Sequence, residues 1–388
     1  MLGDAHDFGV SEDTSGIWLQ RARALGPLIA EYRDESERER RLPRPVHDAM
    51  RDAGLFGMTL SKTYGGSQAR LEDCIRVIEE ISRQDGATGW NLMIGMHMGL
   101  LADYLQPGAA QEIYGGAPRG MAGTFQPRGK AERVEGGYRV SGQWPFASGC
   151  YNADWFLGAG VVAGTEPPEL RIFYFPVADW TILDTWHTVG MKGTGSHDVL
   201  VQEAFVPERY SFPLQQMFVG PGGNPDAGFR RPFFDLAGPT LASVSLGVAR
   251  DAIESFVAMA GGKVPARGTW TLGNMHTTHM QLGEAEALLR SARAFLYEVA
   301  RELDGPVGAD ADATAASCRL ASTNATHAAM RAVDIVYELA GGTSVYETSR
   351  LERCFRDVHM PTHHAIAAQS HYEMVGQYML GQGLQFRR

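Results

Sequence analysis

The spacing of apolar residues changes twice along this chain, and those two changes restrict its possible folds more than any single motif does. Over the first hundred or so residues, Trp18, Ala22, Leu25 and Ile29 follow at steps of four, three and four, the spacing of one helix face. A Gly-rich break at Tyr64-Gly65-Gly66-Ser67 precedes a second helical stretch, Leu71 to Arg83. From about Gly120 the pattern becomes short runs of β-branched and aromatic residues, such as Tyr138-Arg139-Val140, Trp155-Phe156-Leu157, Leu170 to Phe175 and Val199-Leu200-Val201, punctuated by Gly, Pro and Asp. After Pro239 the helical period returns. Leu241, Val244, Val248, Ala252 and Phe256 share one face, Leu282, Ala285, Leu289, Ala292 and Leu296 another, and a third helix runs from about Ala311 to Leu339. The expected fold is α+β: an N-terminal helical domain (1–119), a middle β-barrel or sandwich domain (120–228) and a C-terminal four-helix bundle domain (229–388).

Composition excludes several functions. The chain has 388 residues, enough for two or three packed layers, with 45 acidic against 35 basic side chains and a net charge of −10. That balance argues against a nucleic-acid groove or an anionic membrane surface as main partner. Cys74, Cys150, Cys318 and Cys354 lie far apart and form no CxxC pair, so neither a zinc knuckle nor a disulfide framework is expected. The acidic start, Met1 to Asp7, lacks the features of a signal peptide, and no apolar run approaches membrane-spanning length. The expected location is the cytoplasm. The charge run Arg33 to Arg40 reads as a solvated helix face without function.

Several motifs fall at matching places in the three-part order. Gly54-Leu55-Phe56-Gly57 followed by Tyr64-Gly65-Gly66, the segment Ile81 to Gly86, and Gly341-Gly342 followed by Arg353 to Asp357 resemble the acyl-CoA dehydrogenase superfamily over nearly the whole chain. The resemblance implies a flavin between the β domain and the C-terminal bundle, in a homotetramer whose neighbouring subunits complete the site. Trp144-Pro145-Phe146-Ala147-Ser148-Gly149 and Trp186 to Ser196 are more closely similar to the flavin-dependent monooxygenases of group D, the oxygenase halves of two-component hydroxylases. On that resemblance Trp144, Phe146, Ser148, Gly149, Thr194, Gly195 and Ser196 are expected at the flavin, together with Arg267 and with Gly341 and Gly342, whose N–H groups would face phosphates of a partner subunit's flavin.

Physically, a flavin needs short side chains and free backbone N–H groups near N5 and the pyrimidine edge, which Ser148 and Gly149 offer. Read from the residues alone, both segments also fit tight turns that end strands, and Gly341-Gly342 fits a helix C-cap. Trp144 fits either a cavity wall or plain core, Trp155 reads as core, and Arg267 fits equally a solvated arginine.

Three of the twelve histidines, His359, His363 and His364, stand close together near the C-terminus. An acyl-CoA dehydrogenase needs a base for an α-proton, and relatives place a glutamate about where Ala365 stands or, on an earlier helix, near Ala237. From Val358 to Tyr372 there is no Glu or Asp, and the nearest acid to Ala237 is Asp235. Imidazole exchanges protons near neutral pH where a carboxylate does so poorly. Arg356-Asp357-Val358-His359 followed by His364 resembles a pattern of those monooxygenases, and the resemblance implies His364 first and His359 second as catalytic histidines, with Ser148 supporting the flavin, while His363 reads as a surface residue. A metal pair at His359 and His363 is disfavoured because Pro361 interrupts the helix and no third ligand is in sight. Arg353, Arg356 and Asp357 fit an ion-pair network within the bundle.

The resulting expectation is a monooxygenase that takes reduced FMN or FAD from a separate NAD(P)H:flavin reductase. With O2 it would form a C4a-hydroperoxyflavin and oxygenate a small aromatic or amine substrate. The chain carries no dinucleotide fingerprint of its own, in keeping with a separate reductase. Two alternatives stand beside it: an FAD-dependent desaturase of acyl-CoA dehydrogenase type using an atypical base such as Glu373 or Asp235, and a non-catalytic bundle protein that keeps the fold.

Overall fold

The computed structural model describes residues 16–116, 120–222, 227–266, 268–307 and 310–384. Helices α1 (Gly16–Ala24), α2 (Gly26–Glu39), α3 (Arg44–Asp52), α4 (Leu71–Gln84), α5 (Gly86–Leu100) and α6 (Pro107–Tyr114) come first. Strands β1 (Met121–Val134), β2 (Gly137–Trp144), β3 (Trp155–Val162), β4 (Glu169–Pro176), β5 (Trp180–Leu183), β6 (Asp198–Pro207) and β7 (Ser211–Pro213) follow. The short α7 (Gln216–Val219) leads to α8 (Phe233–Ala260), α9 (His276–Asp304), α10 (Ala311–Ala340), α11 (Arg350–His359) and α12 (Ser370–Met379). No described helix is long and apolar enough to cross a membrane.

The apolar steps from Trp18 to Ile29 span two helices, because Pro27 sits in the first turn of α2, where a missing N–H costs nothing. The third period begins earlier than Pro239: α8 starts at Phe233 and runs through that proline. Pro239 cannot donate to a carbonyl, and the hydroxyl of Thr240 instead reaches the Leu236 and Ala237 carbonyls at 3.1 and 3.0 Å. α8 is buried on nearly every side because it packs against α10 in the bundle and α4 in the N-terminal layer.

The β region forms a single seven-stranded sheet, in the order β5-β6-β2-β1-β3-β4-β7, with β1 and β3 parallel and the other pairs antiparallel. β3 and β4 read as continuous apolar runs because both faces are covered. Phe156, Phe173 and Phe175 join Trp144 and Tyr138 in a core on one face, whereas Leu157, Ala159, Ile172 and Tyr174 join the helical core on the other. α5 touches β1 on one side and α8 on the other, so its residues lie at the seam of sheet and bundle.

Candidate active site

The N-terminus of α5 is fixed by Asp85, whose carboxylate accepts from the N–H and hydroxyl of Thr88, both at 2.9 Å. One turn on, Trp90 projects toward the sheet and donates its indole N–H to Ser148 Oγ at 3.0 Å. Ser148 Oγ lies 2.7 Å from Ser196 Oγ, Ser196 Oγ lies 2.6 Å from Thr194 Oγ1, and Thr194 Oγ1 donates to the Met191 carbonyl at 2.8 Å. An indole N–H only donates and a carbonyl only accepts. Every hydroxyl between them therefore points one way, Ser148 to Ser196 to Thr194, and all three side chains are buried.

The same indole ring meets His364 edge-on, with centroids 5.8 Å apart. The structure thus gathers Ser148, Thr194, Ser196 and His364 around Trp90, which the sequence reading did not single out. Its signal was an aromatic side chain on the helix that begins at the end of the Ile81 to Gly86 segment.

The Phe146–Gly149 turn and the segment before Ser196 hold an unusual backbone. Phe146, Gly149, Met191 and Gly195 all have positive φ, at 64°, 77°, 51° and 56°. Left-handed backbone is rare for a residue as bulky as Phe, and such strain concentrates at functional sites. Phe146 is 58% exposed, and its ring meets the half-buried Trp186 edge-on with centroids 6.1 Å apart. The expected free backbone N–H groups are not free. Ser148 N–H donates to the Phe146 carbonyl and Gly149 N–H to the Thr194 carbonyl, each at 2.9 Å, so hydroxyls and ring faces are what this turn presents.

Trp144 is a core residue rather than a cavity wall. Its indole donates to the Ala159 carbonyl at 2.8 Å and lies over Gly129, Gly142 and Gly158, where an added Cβ would come within 2.5 to 2.7 Å of the ring. Three strands give up side chains to admit it. Trp155 is half-buried, edge-on to Tyr210. Gly341 and Gly342 are exposed at the end of α10, with Gly341 N–H taken by the Glu338 carbonyl, and nothing in the chain lies within 4 Å of a Cβ added to either. Arg267 lies outside the described residues.

The histidines separate clearly. His364 is half-buried and follows the helical turn at Met360–His363; its Nδ1 accepts from Ile366 N–H at 3.2 Å, and burial pushes its pKa down to about 4. The ring is neutral at pH 7, with its proton on Nε2. His359 is engaged elsewhere. Its Nδ1 faces the Phe355 carbonyl at 2.6 Å and its Nε2 lies 3.4 Å from Asp334 on α10. His363 is exposed. A further histidine, His97, is buried on α5 two turns beyond Trp90. It lies 2.6 Å from Thr240 Oγ1, and burial, then the charge of nearby His364, pushes its pKa down to about 3.

Asp357, Arg353 and Arg356 extend well beyond the bundle. Asp357 is buried and accepts from Met191 N–H at 2.5 Å; burial pushes its carboxyl up to about 7. Arg356 donates to Glu37 at 2.8 Å and to the Val189 carbonyl at 2.5 Å, and Arg353 lies 3.7 Å from Glu37. The charge run on α2 is consequently an anchor, not a solvated face. Arg33 donates to the Gln84 carbonyl at 2.8 Å and Arg40 to Asp184 at 2.6 Å. α2, α11 and the loop before Met191 are tied at one point. Asp235 lies near the start of α8, buried, its carboxyl pushed up to about 6 by burial against the pull of Arg319 and Arg231.

Comparison with known proteins agrees with this geometry. Residues 22–116 match the family described as acyl-CoA dehydrogenase, N-terminal domain, and residues 240–369 match acyl-CoA dehydrogenase, C-terminal domain. The chain is 34% identical over 357 residues to an indole-3-acetate monooxygenase of Pseudomonas putida, covering 89% of each chain. It is 28% identical over 387 residues to an FADH2-dependent resorcinol hydroxylase, oxygenase component, of a Rhizobium species, covering 93% of each. The structure of XiaF from a Streptomyces species, in complex with FADH2 and glycerol, superposes with a TM-score of 0.88 at 27% identity, covering 95% of this chain and 96% of that one.

Proposed function

The chain belongs to the acyl-CoA dehydrogenase family, and on that premise we propose that it is the oxygenase component of a two-component, flavin-dependent monooxygenase acting on a small aromatic substrate. The relatives named for hydroxylase and monooxygenase activity, one of them FADH2-dependent, support that reading. The observation that carries it is the placing of a neutral imidazole, His364, against Trp90 and the Ser148 chain, in a segment where a dehydrogenase needs a carboxylate.

The residues fit a flavin. Phe146 and Trp186 offer an aromatic face, the strained turn presents Ser148, and the indole of Trp90 closes the bundle side. FMN or FAD in its reduced form, when bound, supplies the two electrons that activate dioxygen. Ser148 accepts from Trp90 and donates to Ser196, so its oxygen has a lone pair left to accept from a ligand N–H. His364 offers an N–H donor at Nε2 and would hold a developing oxyanion or orient the substrate hydroxyl rather than take its proton.

A separate NAD(P)H:flavin reductase would supply the reduced flavin. The chain would assemble as a homotetramer: Trp270, Met280, Val345 and Tyr346 are large apolar side chains left exposed on the C-terminal region. In that assembly Gly341 and Gly342 would meet the flavin phosphates of a neighbour. The four cysteines are free and buried, which suits a cytoplasmic setting. The deciding experiment supplies chemically reduced flavin, O2 and candidate phenols or indoles to the purified protein. Hydroxylated product without CoA thioester turnover supports the reading, and steady desaturation of a CoA thioester with an artificial electron acceptor overturns it.

A further inference from the structure

Behind the Ser148–Gly149 turn lies a small, partly open space lined by His47, Phe56, Asn91, Gly120, Met121 and Gly149. Two polar atoms that border it have no partner, His47 Nε2 and Asn91 Oδ1, and both side chains are at least 95% buried. Their chemistry is fixed by their other contacts. The Asn91 amide donates both its hydrogens, to the Ala87 and Gly193 carbonyls at 3.0 and 3.2 Å, so its oxygen can only accept. His47 Nδ1 lies 3.2 Å from Asp48 Oδ1 and donates to it, so Nε2 carries a bare lone pair. Glycines keep the space open: a Cβ at Gly120 would stand 2.7 Å from His47 Nε2, and one at Gly149 would stand 3.0 Å from Asn91 Oδ1. Two buried acceptors bordering one cavity call for an occupant that donates twice, and water is the molecule of that size that does so.

Its position bears on the reaction. Asn91 follows Trp90 and Gly149 follows Ser148, so the cavity backs directly onto the site. Asp48, at the other end of His47, is 34% exposed in its side chain and is held by Arg44 and Arg51. Over a full turnover, reduced flavin monoanion, O2, substrate C–H and one proton give oxidised flavin, hydroxylated substrate and water. The two electrons come from the flavin. Neither His364, neutral with a pKa of about 4, nor the hydroxyls from Ser148 to Thr194, whose hydrogens are all engaged, supplies that proton.

We propose that a water held between His47 Nε2 and Asn91 Oδ1, backed by Asp48, is a proton-entry site for the oxygenation reaction. The inference rests on the monooxygenase reading for its purpose but not for its existence. Among the described residues Asp48, Arg44 and Arg51, all on α3, are the charged groups that act most on His47, and burial sets its pKa below the ordinary value while Asp48 raises it. The other side chains bordering the space carry no charge. His47 acts through the water and not on the reacting atoms.

A high-resolution crystal structure of the flavin-free protein tests the first half, and density for a water bonded to both His47 and Asn91 is expected. For the second half, reduced enzyme is mixed with O2 and substrate across a pH series, for the wild type, His47→Phe and Asp48→Asn. Wild-type product formation should speed up as pH falls and level off only on the acid side of the ordinary histidine value, since burial holds the His47 pKa down. His47→Phe should slow it about 10²-fold and remove that inflection, with reduced-flavin affinity, measured by anaerobic titration, unchanged. Asp48→Asn, a surface change that leaves the core intact, should move the inflection to lower pH and carries the test if His47→Phe does not fold. An empty cavity, a loss equal at every pH, or a wild-type pH profile in Asp48→Asn overturns the proposal. A wild type that forms no product at any pH refutes the monooxygenase reading instead, and leaves the water to be judged from the crystal alone.

Discussion

The tautomer of His364 decides what that side chain can do. Its Nδ1 is held by Ile366 N–H and its pKa lies near 4, so at neutral pH it is a donor through Nε2 and a poor base. His364→Ala should leave flavin affinity intact, lower hydroxylation by about 10²-fold or more and divert oxygen to hydrogen peroxide. His364→Asn, which keeps a donor, should retain more product than the alanine variant, and equal coupling in both would refute the donor role. Ser148 gives a second case. Ser148→Ala leaves the indole N–H of Trp90 without its acceptor inside the protein and removes the hydrogen that Ser196 Oγ accepts, a loss of about 1–3 kcal/mol in urea unfolding. At this scale the sequence was partly legible. Ser148, Thr194 and Ser196 announce themselves as small polar residues in two motifs, and His364 by standing where acid is missing. Trp90 was not legible, because a tryptophan on an apolar helix looks like core until the strand it meets is known. Trp144 showed the converse: only the three glycines beneath its ring, brought together from separate strands, reveal that it is core.

Among the elements, the helical and strand periods were readable because each element buries a face, and burial fixes spacing. Their junctions were not. The charge run on α2 has the composition of a solvated face, and nothing local indicates that Glu37 meets Arg356 from a helix more than three hundred residues away. That junction holds the loop before Met191 at van der Waals distance from α11. A Cβ at Gly190 would lie 2.4 Å from the Arg356 carbonyl, a contact no backbone can accept without moving. Gly190→Ala should therefore push the loop off α11, strain the Met191 N–H bond to Asp357 and cost about 1–3 kcal/mol. Thermal unfolding would register the loss, and reduced-flavin affinity should fall with it. Unchanged values for both would show that the loop has freedom that the structure does not suggest.

For the whole molecule, buried titratable groups oppose one another. His97, His364 and His371 have pKa values pushed by burial to about 3, 4 and 4. The unfolded chain binds a proton at each that the folded chain refuses, so their share of stability is present above pH 6.5 and is lost as pH falls toward 4. Asp103, Asp235 and Asp357 have carboxyls pushed by burial to about 6, 6 and 7. The folded chain keeps protons there that the unfolded chain has released, so their share is present below about pH 3.8 and is lost as pH rises through 6 to 7. Between about pH 4.5 and 6 these three histidines and three aspartates act on stability in opposite directions. Removing one member exposes the balance. His371→Phe should lower the slope of stability against pH across that window by about 1.4 kcal/mol per pH unit relative to the wild type, whereas Asp235→Asn should raise it by a similar amount. Urea unfolding at pH 4.5, 5.25 and 6 would separate the two, and a shared slope in wild type and both variants would mean that these buried groups keep their ordinary protonation in the folded chain.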